Sequence, residues 1–118
     1  MYPGTDIIEI KRFDSAVKRQ PKLYDRLFTA RELANLQGKG IQSYAAHFAG
    51  KEAVLKTLGT GLRGLSWHDI EIINEQSGEP VVYLSNKAME LVKARGGLQV
   101  RISLAHDNGQ AIAFAILF

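Results

Sequence analysis

Residues 48–61 read Phe-Ala-Gly-Lys-Glu-Ala-Val-Leu-Lys-Thr-Leu-Gly-Thr-Gly, and no other stretch sets so much polar chemistry beside so much apolar surface. The spacing of Phe48, Ala49, Ala53, Val54, Leu55 and Leu58 predicts a helix. On it Glu52 and Lys56, four apart, share a face one turn from each other. The helix should stop at Gly59, and Gly59-Thr60-Gly61 offers a backbone that can approach a phosphate without interference from Cβ atoms. A carboxylate, an ammonium and a glycine turn so close together suit a metal-assisted reaction at a phosphate. The plain reading of the same residues is ordinary helix structure. A Glu-Lys pair at this spacing stabilises a solvated helix by roughly 0.2–0.5 kcal/mol, and glycine commonly ends a helix.

The amino terminus changes that balance. Gly4-Thr5-Asp6-Ile7-Ile8-Glu9-Ile10 places an aspartate directly before a strand-like alternation. Asp6 and Glu52 are hard oxygen donors of the kind Mg²⁺ prefers, with water and substrate phosphate completing the octahedron. Nothing in their spacing brings them together, and Asp6 could equally cap a turn.

Several elements must position these groups. A first strand is expected at 5–10 and a short helix at 12–19, ended by Pro21. A second short helix at about 29–37 opens on the capping box Thr29-Ala30-Arg31-Glu32. The long helix spans 43–58, with Ser43 as its N-cap. Strands at 69–74 and 81–84 flank a turn at 76–80, and Ser85 caps a helix that runs to about Arg95. Strands at 100–105 and 110–118 form a hairpin across Asp107-Asn108-Gly109, because Asn-Gly accepts positive φ. The last strand alternates Ala111, Ala113 and Ala115 with Ile112, Phe114 and Ile116. Both of its faces are therefore expected to be covered, and the small one allows another element to approach closely. Helices interspersed among hairpins predict an α+β chain.

With 118 residues, 46% of them hydrophobic, the sequence predicts one ordered domain, residues 1–118, with a modest core. No apolar run reaches the length of a membrane span, and the first residues lack a secretory signal pattern. The absence of cysteine excludes disulfides, thiolate metal sites and a cysteine nucleophile. The cytoplasm is the expected compartment. The net charge is only +3, but seven Lys or Arg and two Asp lie between Lys11 and Arg31. Such a segment attracts an anionic partner. A non-catalytic basic module, binding nucleic acid or another anion, is the competing reading, although no nucleic-acid motif or aromatic stacking signature accompanies the charge.

Together the segments G-x-D-I-x-x-I at Gly4–Ile10 and F-x-x-K-E-A-x-x-K at Phe48–Lys56 resemble the holo-acyl-carrier-protein synthase family of 4′-phosphopantetheinyl transferases. The resemblance extends through Gly59-Thr60-Gly61, Ser66-Trp67-His68-Asp69-Ile70-Glu71-Ile72, Gly78-Glu79-Pro80 and Ser103-Leu104-Ala105-His106, and so covers nearly the whole chain. It implies a 4′-phosphopantetheinyl transferase-like fold, an antiparallel sheet with the long helix packed on it, and a homotrimer with active sites at subunit boundaries. It implies transfer of 4′-phosphopantetheine from coenzyme A to a serine of apo acyl carrier protein, with release of 3′,5′-ADP. Asp6 and Glu52 would bind Mg²⁺, with Lys56 stabilising or protonating the leaving oxygen. Either a metal-bound water or a carboxylate would take the serine proton. Lys51, Gly59, Thr60, Gly61, Gly78, Pro80, His106 and His47 would border coenzyme A, Lys51 being the less direct phosphate contact. Arg12, Arg19 and Lys22 would dock the acidic carrier; neither nucleic acid nor membrane is then expected as a partner. His68 reads as structural.

Three departures from the family pattern stand out. His47 replaces the usual Arg, which predicts weaker and more pH-dependent coenzyme A binding, since neutral imidazole is not a permanent cation. Ala105 replaces Ser or Thr and deletes a hydroxyl donor. Tyr2-Pro3 replaces Gly-Ile and leaves the backbone before the first strand open.

Overall fold

A computed structural model describes all 118 residues. Five strands and five helices follow in order: β1 (Tyr2–Glu9), α1 (Ile10–Arg19), α2 (Leu23–Leu27), α3 (Ala30–Leu36), α4 (Ile41–Leu58), β2 (Ile70–Asn74), β3 (Pro80–Leu84), α5 (Asn86–Ala94), β4 (Val100–Asp107) and β5 (Gln110–Leu117). The mixed, antiparallel α+β layout is the expected one. The sheet, however, is split in two. One has the order β1-β5-β4, and β2 pairs only with β3.

The three-stranded sheet is registered by pairs such as Asp6 with Ala113 and Leu104 with Ala113, so β5 lies at its centre. Its closing hairpin turns at Asn108 and Gly109, at φ 50° and 78°, the conformation the Asn-Gly pair was expected to supply. Pro3 sits within β1, where a missing N–H is tolerated because β1 is an edge strand.

Helix α4 lies across this sheet. Ala49 and Ala53 on the helix and Ala113 and Ala115 on β5 are all fully buried, and small side chains on both surfaces bring the two backbones close. A close approach is at Gly4 of β1. A Cβ there would run into the Ala53 carbonyl oxygen and lie 3.1 Å from Lys56 Cβ. The other flank of α4 meets α1, α2 and α3 through Phe13, Val17, Leu27, Phe28 and Leu36. Helix α4 is consequently buried on most sides.

Its boundaries differ from expectation at one end. The helix begins at Ile41 with Gly40 as N-cap, so Ser43 lies inside the first turn and does not cap. At the other end Gly59 takes the left-handed conformation (φ 78°) that favours glycine. The Thr29–Glu32 capping box forms as expected, with Thr29 Oγ1 accepting from the Glu32 N–H and Glu32 Oε1 accepting from the Thr29 N–H. Helix α2 was not expected; it begins just after Pro21.

Lys51 requires a correction. It faces α3, away from solvent, and its Nζ donates to Glu32 Oε1 at 2.5 Å, both side chains being 0% exposed. Glu32 Oε2 accepts from the Ile72 N–H, so one carboxylate ties α3 to both α4 and β2. Lys51 Nζ also lies 5.5 Å from the Phe28 ring centre. A side chain held in this way does not reach a phosphate, and Lys51 leaves the set of coenzyme A contacts. The difference is rotational: residues 51 and 52 project about 100° apart, and only Glu52 faces the groove described below. Truncating Lys51 to Ala strands the Glu32 charge in the core, and a loss of about 3–5 kcal/mol is expected by chemical denaturation. Lys51→Met with Glu32→Leu should recover much of it.

Candidate active site

Strand β1 and helix α4 meet where Asp6 and Glu52 line one open groove of about 430 Å³. Asp6 is on the helix-facing side of β1, two residues beyond the Gly4 contact, and Glu52 rises from the middle of α4. Lys56, one turn further on, donates to the Thr5 carbonyl oxygen at 2.7 Å and to Asp6 Oδ1 at 3.2 Å. The other carboxylate oxygen, Asp6 Oδ2, is buried with no hydrogen-bond partner. Such an oxygen is expensive to bury unpaired. Burial, and then the neighbouring Asp6 carboxyl, push the Glu52 carboxyl up from 4.5 to about 7. Two crowded carboxylates, one with an orphaned oxygen, suit a divalent cation better than they suit each other. No third His, Cys, Asp or Glu joins them. The donor set therefore fits Mg²⁺, which is usually bound through one or two carboxylates plus water and substrate phosphate.

The same groove holds Arg12 and Arg19 of α1, and Arg26 and Leu23 of α2. Arg12 and Arg19 were expected to lie on a partner surface; their direct continuity with the carboxylate pair was not. Arg26 was missed. It is one of the seven basic residues between Lys11 and Arg31, and only the fold of α2 sets it, still exposed, along the groove. Lys22 borders an adjoining depression together with Arg26. The apolar wall is aromatic: Phe48 stacks edge-on against Trp67 at 5.2 Å and lies 5.9 Å from Phe13. His68 Nε2 donates to the Asp25 carbonyl oxygen at 2.7 Å, a contact that pins the 67–69 turn to α2 and has no role in the groove.

The remaining expected residues lie elsewhere on the chain. Gly59, Thr60 and Gly61 form the exposed turn directly after α4, beyond Lys56. Gly78, at φ 90°, turns the β2–β3 hairpin, and Pro80 lines a separate cleft with Met89 and Arg101. His106 borders a recess of about 150 Å³ with His47, Ser43 and Asn74. His47 is 3% exposed, and its Nδ1 has no partner. Burial drives its pKa from 6.5 down to about 4. It is therefore neutral throughout the neutral range.

Residues 2–115 match the 4′-phosphopantetheinyl transferase superfamily, and the chain is a member of it. It is an enzyme of the phosphopantetheinyl transferase type. Among its relatives are the holo-acyl-carrier-protein synthases of Moorella thermoacetica, 45% identical over 97% of this chain and 91% of that one, and of Clostridium acetobutylicum, 42% identical over 97% and 94%. Among solved structures, the Helicobacter pylori holo-acyl-carrier-protein synthase in complex with coenzyme A superposes with a TM-score of 0.87, at 32% identity, covering 98% of this chain and 99% of that one.

Proposed function

We propose that this chain transfers the 4′-phosphopantetheine group of coenzyme A to a serine hydroxyl of an apo acyl carrier protein, releasing 3′,5′-ADP in a Mg²⁺-dependent reaction. The observation that carries this reading is the meeting of Asp6, Glu52 and Lys56 at a groove that also contains Arg12, Arg19 and Arg26. The names of the curated relatives and the coenzyme A complex of the Helicobacter structure support the same substrates.

In this reading Asp6 and Glu52 would hold the metal. A bound Mg²⁺ would supply neutralisation of the charge that grows on the pyrophosphate oxygens as the bond at the β-phosphorus breaks. Lys56 would leave the Thr5 carbonyl and the Asp6 carboxylate for the leaving oxygen, which it stabilises or protonates. Gly59, Thr60 and Gly61 would pass close to the nucleotide. The basic rim would bring an acidic carrier to the groove, so that its serine reaches the phosphorus beside the carboxylates.

The outer face of the three-stranded sheet supports assembly. Ile7, Ile112 and Phe114 are 57%, 45% and 44% exposed, a contiguous apolar surface that water alone covers in one chain. Copies packed on this face, three by the family resemblance, could bring His106, His47 and Pro80 of one to the groove of another. We place the enzyme, a single domain, in the cytoplasm and in the priming of acyl carriers, of fatty-acid or of polyketide synthesis. No helix is long and apolar enough to cross a membrane.

The test is incubation with apo carrier protein, coenzyme A and Mg²⁺, read as a mass gain of one phosphopantetheine group on the carrier; no gain across several carriers contradicts the proposal. The basic rim makes its own prediction. Arg12→Glu with Arg19→Glu should raise the carrier KM by roughly 10- to 100-fold and the coenzyme A KM far less, because steering charge acts chiefly on encounter with the partner. Steady-state kinetics with each substrate varied in turn separates the two.

A further inference from the structure

The carboxy-terminal end of α4 is a poor neighbour for a phosphate. A helix ends there in unpaired carbonyls and roughly half a negative charge, the reverse of the amino-terminal end that anions prefer. Yet Gly59-Thr60-Gly61, directly beyond that end, is the turn expected to lie against the nucleotide.

Arg95 lies at this end. It follows the last residue of α5, and its Nη1 donates to the Thr57 carbonyl oxygen at 3.0 Å. Its guanidinium carbon lies 4.0 Å from the Tyr2 ring centre, over the aromatic face. The guanidinium also occupies the space that a Cβ at Gly59 would fill. The side chain is thus held by the start of β1, the end of α4 and the end of α5 together. None of the ion pairs in the chain includes it. Its charge is consequently spent on the helix end and on whatever approaches that end.

We propose that Arg95 is a positioning residue for the phosphate-bearing donor: its fixed charge offsets the negative end of α4 and makes the Gly59-Thr60-Gly61 turn acceptable to the pyrophosphate. The inference rests on the reading that the donor is coenzyme A. Charge, rather than the planar fork alone, is the active property, so lysine should replace arginine better than any neutral residue.

Calorimetric titration of the full chain with coenzyme A and Mg²⁺, at low temperature, tests this in wild type, Arg95→Met and Arg95→Lys. Methionine keeps an apolar stem against Tyr2 and removes the charge. The expected result is affinity weakened roughly tenfold in Arg95→Met, with a shallower salt dependence, and largely recovered in Arg95→Lys, while the carrier KM stays unchanged in both. A merely structural role would lower the melting temperature of both variants and leave affinity at low temperature untouched. Should Arg95→Met fold poorly, Arg95→Gln, which can still donate to Thr57, serves as the neutral variant. Unaltered affinity in the neutral variant, or equal loss in Arg95→Lys, overturns the inference while leaving the proposed function intact. Failure of wild type to bind coenzyme A overturns both.

Discussion

Glu52→Gln is expected to end transfer while leaving the metal-free protein more stable at neutral pH. The loss should be at least about 10³-fold in kcat/KM, since on the proposed reading one of the two carboxylates that would hold the metal loses its charge. The gain follows from proton linkage. The Glu52 carboxyl titrates at about 7 in the folded chain instead of 4.5, because it is partly buried and faces Asp6. Between those values the folded state keeps a proton that the unfolded state has released. Stability from this group is thus fully present below about 4.5 and is lost as pH rises through 7. Glutamine is neutral throughout and does not incur that loss. The full shift corresponds to about 3 kcal/mol, which solvent screening at a half-buried site reduces to about 1–2 kcal/mol. Thermal melts without divalent ions should therefore show Glu52→Gln higher by about 5 °C at pH 8 and level with wild type at pH 4.5. A variant less stable than wild type at pH 8 would show that Glu52 is held by favourable contacts, and the crowded-carboxylate account would fail.

Gly4→Ala is expected to impair both stability and activity, although the substitution adds one methyl group and removes no functional atom. The added Cβ has no room beside the Ala53 carbonyl and Lys56 Cβ, and both neighbours are fixed by α4. Strand β1 must lift from the helix, at a cost of about 2–4 kcal/mol, with melting lowered by roughly 10 °C. Because Asp6 lies two residues along the same face of β1, the shift also spreads Asp6 from Glu52. A loss of about 10²-fold in kcat should persist at temperatures well below melting, and it should be larger than the change in the carrier KM. A stable Gly4→Ala enzyme with normal kcat would mean that the two elements do not need to touch at this point.

The local features of this site could be read from sequence, whereas the meeting of Asp6 with Glu52 was expected only from the family resemblance. Asp6 before an alternating strand, Glu52 and Lys56 one helical turn apart, and Gly59 as a stop all depend on residues close in the chain. So do the Thr29–Glu32 capping box and the Asn108-Gly109 turn, which form as expected. What escaped depends on distant partners. Lys51 looks like a phosphate ligand beside Glu52 until Glu32, nineteen residues earlier, is seen to claim it. Nothing local distinguishes a glycine that permits close packing, such as Gly4, from one that turns a loop. The helix start was placed at Ser43 because serine is a strong capping type, whereas Gly40 and the docking of Ile41 decide it. Arg26 was one cation among seven until α2 set it along the groove. His47 was read as a weak substitute for a cation, and burial beside the His106 recess keeps it uncharged at neutral pH.

The central claim is that Asp6 and Glu52 share one divalent ion. The most direct test is calorimetric titration of Mn²⁺, as a Mg²⁺ surrogate, into the coenzyme A-saturated protein for wild type, Asp6→Asn, Glu52→Gln and Lys56→Met. The account predicts one ion per chain in wild type, with proton uptake by the buffer near pH 7 as Glu52 ionises. It predicts loss of that site in Asp6→Asn and in Glu52→Gln, and its retention in Lys56→Met. Wild-type Mn²⁺ affinity in either carboxylate variant would contradict it.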